Sequence, residues 1–236
     1  MLSCLKNNLL KMNKNKLLII FFASLIPIIQ PLSFLTSFNP RLNSNNAVLA
    51  NEKDYDFYYD RAIKYLDNEE YYRAIQDFDK GIQINPNDPS IYIDRGIAKE
   101  GQKDLKGAIA DYTKALTLDP NNLDAIYNRG WLRTDNKIKN YDGAISDFIK
   151  LTELEPKSVE NIIDLATVYS NANKNKKAVK ILDKGIALEP ENGNVYFWQG
   201  IYKILAGNVA SGCKSIRKSK KMKASDYDSS WLRLCG

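Results

Sequence analysis

An all-α solenoid of about five helix–turn–helix units is the fold class that this sequence predicts, and three observations carry the prediction. The stretch PNDPSIYIDRG at residues 86–96 returns as PNNLDAIYNRG at residues 120–130. Four prolines, Pro86, Pro120, Pro156 and Pro190, follow one another at intervals of 34, 36 and 34 residues. Between them, each block holds two stretches with apolar residues three and four apart, the period of an amphipathic helix. A catalytic motif is needed once, so a feature written at a fixed period points to architecture before chemistry.

The elements follow in chain order. Residues 1–50 have the anatomy of an export signal: a lysine-rich start, the apolar run LLIIFFASLIPIIQPLSFL, and a polar segment leading to AVLA before NEKD. Val48 and Ala50 are small enough for cleavage after Ala50. The apolar run is long for a signal core and is interrupted by Pro27 and Pro31, so an uncleaved anchor over residues 17–36 stands beside it. Met1 and Met12 are both candidate starts. Either reading places the rest of the chain across a membrane, in a periplasm or lumen.

The first block begins with DFYYDRAIKYLDN (56–68), turns, and continues with YYRAIQDFDKGIQI (71–84). Pro86 cannot extend that second helix, because it lacks an N–H and disfavours helical geometry in the residue before it. Asp88 is suited to cap the next helix and Pro89 to open it, so the junction is a stop signal joined to a start signal. Small residues recur where helices must cross: Ala62, Gly96, Gly130, Ala166 and Gly200 in the first helices. Ala74, Ala108, Ala144 and Ala178 recur in the second helices, each followed four residues later by Phe78, Tyr112, Phe148 or Leu182. The third block carries two extra residues in its inter-helix turn, around TDNKIKNYDG (134–143). The fifth departs further, with Gly212 and Ile216 in the alanine and aromatic places and Ala224 where proline would fall. A terminal unit is expected to be atypical, and the tail 225–236 is expected to form a short capping helix whose Trp231, Leu232 and Leu234 cover its open side.

This period and pattern resemble the tetratricopeptide repeat, in five copies over 55–88, 89–122, 123–158, 159–192 and 193–224, within a domain spanning 51–224. The resemblance implies a right-handed superhelix and a concave groove lined by the first helix of each repeat, into which a peptide or helix of a partner protein fits. The matching positions are Tyr59 and Ile63, Ile93 and Ile97, Tyr127 and Trp131, Ile163 and Thr167, and Phe197 and Ile201. Family members that grip a terminal carboxylate place Lys, Arg and Asn there, and no such clamp can be assembled from these residues. The expected groove is apolar and aromatic. Arg61, Arg95 and Arg129 recur beside the crossing residue and are expected to pair with nearby carboxylates, their stems packed.

Chemistry is conspicuous by its missing side chains. The chain has no histidine, which removes histidine-based triads and the common zinc and haem ligand sets. There is no phosphate loop, dinucleotide fingerprint or calcium loop, so no cofactor, metal or catalytic residue is expected and the chain is read as a non-enzyme. The net charge of +6 is concentrated in the leader: removing its five cations from the chain's 34 leaves 29 against 28 carboxylates. That balance argues against nucleic acid as a partner. A second candidate surface is the basic helix near the end, with Lys214, Arg217, Lys218, Lys220 and Lys221, suited to an acidic partner or an anionic membrane surface. Cys213 and Cys235 are the two cysteines beyond the leader, a candidate disulfide in an oxidising compartment. The function expected is a monomeric scaffold aiding assembly of an envelope or membrane complex through the groove, with an electrostatic tether through the basic helix as the alternative.

Overall fold

The computed structural model describes residues 44–226 together with Ser230, Trp231 and Cys235, with side chains from Glu52 onward. The expected anchor over 17–36 and both candidate starts lie outside the described residues. So do Leu232 and Leu234 of the expected capping helix.

Ten helices follow in order among the described residues: α1 (Ser44–Asp67), α2 (Tyr71–Ile84), α3 (Pro89–Gly101), α4 (Leu105–Leu118), α5 (Leu123–Thr134), α6 (Tyr141–Leu154), α7 (Val159–Asn171), α8 (Asn175–Leu188), α9 (Gly193–Leu205) and α10 (Val209–Lys221). They pair as five antiparallel hairpins, α1 with α2 through α9 with α10, each packed on the next. Helix α1 starts well before the expected residue 56. No proline or glycine lies between Pro40 and Gly81, so nothing in the sequence stops it, and residues 44–50 are helical.

The junctions between hairpins are capped as their residues dictate. The side chains of Asp88, Asn122, Ser158 and Asn192 accept from backbone N–H groups in the first turns of α3, α5, α7 and α9, and Pro89 occupies the first turn of α3. The turns inside the hairpins use a device with no glycine signal. Glu69, Lys103, Lys139 and Asn173 all adopt left-handed backbone, with φ of 60°, 67°, 52° and 58°. Only the fifth turn assigns the position to a glycine, Gly207 at φ 91°. The residue after it returns its N–H to a carbonyl of the preceding helix: Glu70 to Tyr65, Asp104 to Lys99, Lys174 to Tyr169 and Asn208 to Lys203. The two extra residues of the third block lengthen this turn to 135–140, where Asn140 N–H still reaches back to Arg133.

The core is one register repeated. Phe78, Tyr112, Phe148, Leu182 and Ile216 of the second helices are all fully buried, as are Ala74, Ala108, Ala144 and Ala178 one turn earlier. They lie against the small residues of the first helices. The last hairpin explains the departure at Gly212: a Cβ there would come 2.6 Å from the Gly200 carbonyl oxygen, and one at Gly200 would come 2.9 Å from the Gly212 carbonyl. Backbones approach so closely between α9 and α10 that neither position has room for the usual alanine. Trp231 of the tail packs against the cluster formed by α7, α8 and α9. A disulfide joins Cys213 in α10 to Cys235, with Cα atoms 5.5 Å apart, and ties the tail to the last hairpin.

Candidate interaction groove

First helices approach one another across hairpin boundaries. The Tyr59 hydroxyl of α1 donates to the Asp94 carboxylate of α3, and the hydroxyls of Thr167 in α7 and Tyr202 in α9 meet at 2.7 Å. The backbones of α1 and α3, and of α7 and α9, come into contact to an extent that no pair of second helices reaches among the described residues. The shared face of the first helices is therefore the inner side of the array.

The expected apolar groove residues do not share one fate on that face. Ile93, Phe197 and Ile201 are core, 7%, 3% and 5% exposed. Ile93 belongs to the buried cluster on which Tyr59, Ile63 and Ile97 pack, and Phe197 and Ile201 to the one on which Ile163 packs, so these side chains offer little to a partner. Tyr59, Ile63, Ile97, Trp131, Ile163 and Thr167 are half-buried. Tyr127 stands out at 41% exposure. Its ring meets Trp131 edge-on at 6.2 Å, and both rest on buried Phe148, at 5.9 and 5.0 Å. Of the expected groove positions, Tyr127 in the third hairpin is the exposed one; the other exposed large apolar side chains, Phe57, Tyr72, Leu123, Leu188, Leu205 and Val209, lie outside that set.

What the sequence pattern did not reveal is the polar character beside it. Asp60, Asp94 and Asp164 occupy one register of the first helices, and Asp56, Asp124 and Glu160 the register one turn before it. Asp94 is half-buried. Its burial and the carboxylates of Asp88 and Asp124 push its proton affinity up, against the opposing effect of the Tyr59 hydrogen bond. Asp164 is half-buried too, and burial with Glu160 one turn away raises its pKa to about 6. The folded chain holds that proton more tightly than the unfolded chain does, so this group's contribution to stability falls as pH rises from about 4 to about 6. Asp164→Asn is accordingly expected to raise the unfolding free energy by about 1–2 kcal/mol at neutral pH and to change it little at pH 4. Urea midpoints at the two pH values measure the difference, and equal shifts at both would count against a strained carboxylate.

The recurring arginines are structural. Arg61 pairs with Asp77, holding that carboxyl below its ordinary value. Arg95 pairs with Asp111 of its own hairpin at 2.6 Å and with Asp79 of the previous one at 2.6 Å. Arg129 pairs with Asp147 at 2.7 Å and reaches Thr113 of the previous hairpin. Lys99 and Arg133, one turn on, join Asp111 and Asp147 at 2.7 and 2.6 Å. In the fourth hairpin the same places hold Leu165 and Ile181, with Ile149 of the previous hairpin, all in one apolar cluster. In the fifth they hold Gln199, which accepts from Ser215 and donates to Asp183 of the previous hairpin. From the second hairpin on, one position of the first helix thus rivets its own second helix and the preceding one, with ionic, apolar or neutral polar chemistry.

The basic end is partly spoken for. Lys218 lies over the Tyr196 ring at 3.9 Å and donates to its hydroxyl. Arg217 donates to the Cys235 carbonyl. Lys214, Lys220 and Lys221 are exposed. Among the described residues there is no group of side chains that could hold a metal ion, and no helix is long and apolar enough to cross a membrane.

Comparison with known proteins bears on the fold. A family model described as tetratricopeptide repeat matches residues 55–88, 89–122 and 159–192. No curated protein matches the sequence. Among solved structures, "Crystal structure of MamA protein" is similar at 20% identity with a TM-score of 0.64, covering 73% of this chain and 93% of that one. "MamA 41-end from Desulfovibrio magneticus RS-1" is similar at 20% identity and TM-score 0.63, covering 74% and 98%. "YrrB: a TPR protein with an unusual peptide-binding site" is similar at 18% identity and TM-score 0.61, covering 77% and 93%. Identities this low speak to architecture alone. The blocks 123–158 and 193–224, with their longer turn and their glycine pair, form the same two-helix units in the structure. The chain is an all-α solenoid array of two-helix units, three of which, at 55–88, 89–122 and 159–192, match the tetratricopeptide repeat.

Proposed function

We propose that this chain is a protein-interaction scaffold that receives a peptide or helix of a partner protein along the inner face of its first helices, acting by binding rather than catalysis. The observation that carries this reading is the exposed Tyr127, braced by Trp131 and Phe148 on the inner face. Rigid aromatics with a polar edge and a buried footing are the side chains that concentrate binding energy in protein interfaces. The leader's anatomy supports a place beyond a membrane, and with it a role in assembling an envelope or membrane complex. Capture of a partner from native envelopes tests the reading. Tyr127→Ala and Trp131→Ala are each expected to weaken capture by about tenfold or more while the chain stays folded. Capture that survives both and is lost on reversing the charges of Lys218, Lys220 and Lys221 would transfer the function to the basic helix.

A further inference from the structure

We propose that the inner face selects a partner segment that carries lysine or arginine side chains among its apolar ones. The inference rests on the groove reading above and deepens it. At the two registers of the first helices that flank the Tyr127 cluster, the first four hairpins present Asp56, Asp60, Asp94, Asp124, Glu160 and Asp164, and none of the five hairpins places a lysine or arginine there. Arg61 and Arg95, next in sequence to Asp60 and Asp94, and Arg129 at the same register of the third hairpin are engaged by the second-helix carboxylates Asp77, Asp111 and Asp147. A solvated acidic face would leave its carboxylates in water. Here Asp94 and Asp164 are half-buried instead, and among the described residues Asp164 has neither a hydrogen bond nor an ion pair, while Glu160 lies one turn away. Both carboxyls take up protons more readily than an ordinary aspartate, because burial and like charge oppose ionisation. Such a site gains from an incoming cation twice: attraction to the bound charge, and relief of the repulsion already present. The aromatic cluster supplies what a purely acidic face lacks, an apolar footing and a stacking partner for a guanidinium or an ammonium stem. The basic α10 of a second copy has the right sign as an occupant. Two of its cations, however, are held by Tyr196 and by the Cys235 carbonyl, which favours a segment from another protein.

Fluorescence anisotropy on the full chain tests the proposal with three labelled synthetic peptides: Lys alternating with Leu, and its counterparts with Gln or Glu in place of Lys. The Lys peptide is expected to bind at least about tenfold more tightly than the Gln peptide, to lose affinity as salt rises, and to weaken about tenfold on Asp164→Asn with Glu160→Gln. The Glu peptide is expected not to bind. Because neutralising Asp164 is expected to stabilise the fold, lost binding in that variant reports the surface and not unfolding. Equal binding of the Lys and Gln peptides, lost in both cases on Tyr127→Ala, would overturn the charge selection and leave the groove intact. Lys-peptide binding indifferent to both Tyr127→Ala and the carboxylate variants would overturn the selection and the groove together. Dimers dispersed by Lys220→Glu with Lys221→Glu would overturn it in favour of a second copy as occupant.

Discussion

Asp147→Ala is expected to lower the unfolding free energy by about 3–5 kcal/mol, the cost of breaking a buried ion-pair network by removing its shared carboxylate. Asp147 is almost fully buried and accepts from Arg129 and Arg133, whose side chains are only 16% and 18% exposed. Removing the carboxylate leaves two guanidinium groups out of water with no counter-charge. Arg133 already keeps its Nε buried without a hydrogen-bond partner, so its desolvation is not fully offset even in the intact chain. The remedy is visible one hairpin along. There the corresponding places hold Leu165 and Ile181, and the apolar pair packs where the ion pair would sit. Combining Arg129→Leu and Arg133→Leu with Asp147→Ile is therefore expected to recover most of the loss, since exchanging a buried ion pair for well-packed apolar groups is close to neutral. Urea denaturation of the single and triple variants measures both. A single-variant loss below about 1 kcal/mol would show that the two arginines find water or new partners, and that the ladder is ornamental.

How much of this was legible beforehand follows from which side chains carry a periodic signal. The prolines, the small crossing residues and the alanine-then-aromatic spacing fix the hairpins and their register, because each is demanded by backbone geometry that recurs every unit. The inter-hairpin caps were readable from Asp88 and Pro89 for the same reason. The left-handed turn residues were not. Glu69, Lys103, Lys139 and Asn173 share a backbone conformation but no side-chain type, and only Gly207 carries the residue that normally marks it. Apolar periodicity starts α1 at residue 56, whereas the helix begins at Ser44, where only the absence of a breaker marks it. The expected groove positions divide for a different reason. Helical spacing puts Ile93, Phe197 and Ile201 on the inner side correctly, but spacing cannot say how near the next hairpin stands, and they are buried in the core clusters. The carboxylates at the adjacent registers give no sign of their burial in the sequence, since charge on an amphipathic helix looks the same whether solvated or half-buried. Gly212 looked like degeneration and is a fitted contact with Gly200.

Phe148→Ala is expected to cost about 3–5 kcal/mol and to be felt at the groove as well as in stability. The side chain is fully buried at the middle of the array, where it has neighbours on both sides and no terminal repeat to fray away. It sits on Gly130, where a Cβ would come 2.8 Å from its ring, so the backbone beneath is already as close as it can come and has little room to fall into the void. The ring also supports Tyr127 and Trp131, and without it both lose the edge-on contact that holds them in place. Phe148→Leu is a calibrated control, because the chain itself uses Leu182 at this register in the fourth hairpin, fully buried. That variant is expected to cost about 1–1.5 kcal/mol and to keep the aromatic pair in position. Urea denaturation gives the stabilities. The Trp131 contribution to fluorescence, isolated by replacing Trp198 and Trp231 in a common background, reports the groove: a red shift toward the solvent-exposed value is expected for alanine and none for leucine. An unshifted spectrum in Phe148→Ala would show that Tyr127 and Trp131 are held by the inner face alone, and that the core beneath them sets stability without shaping what they bind.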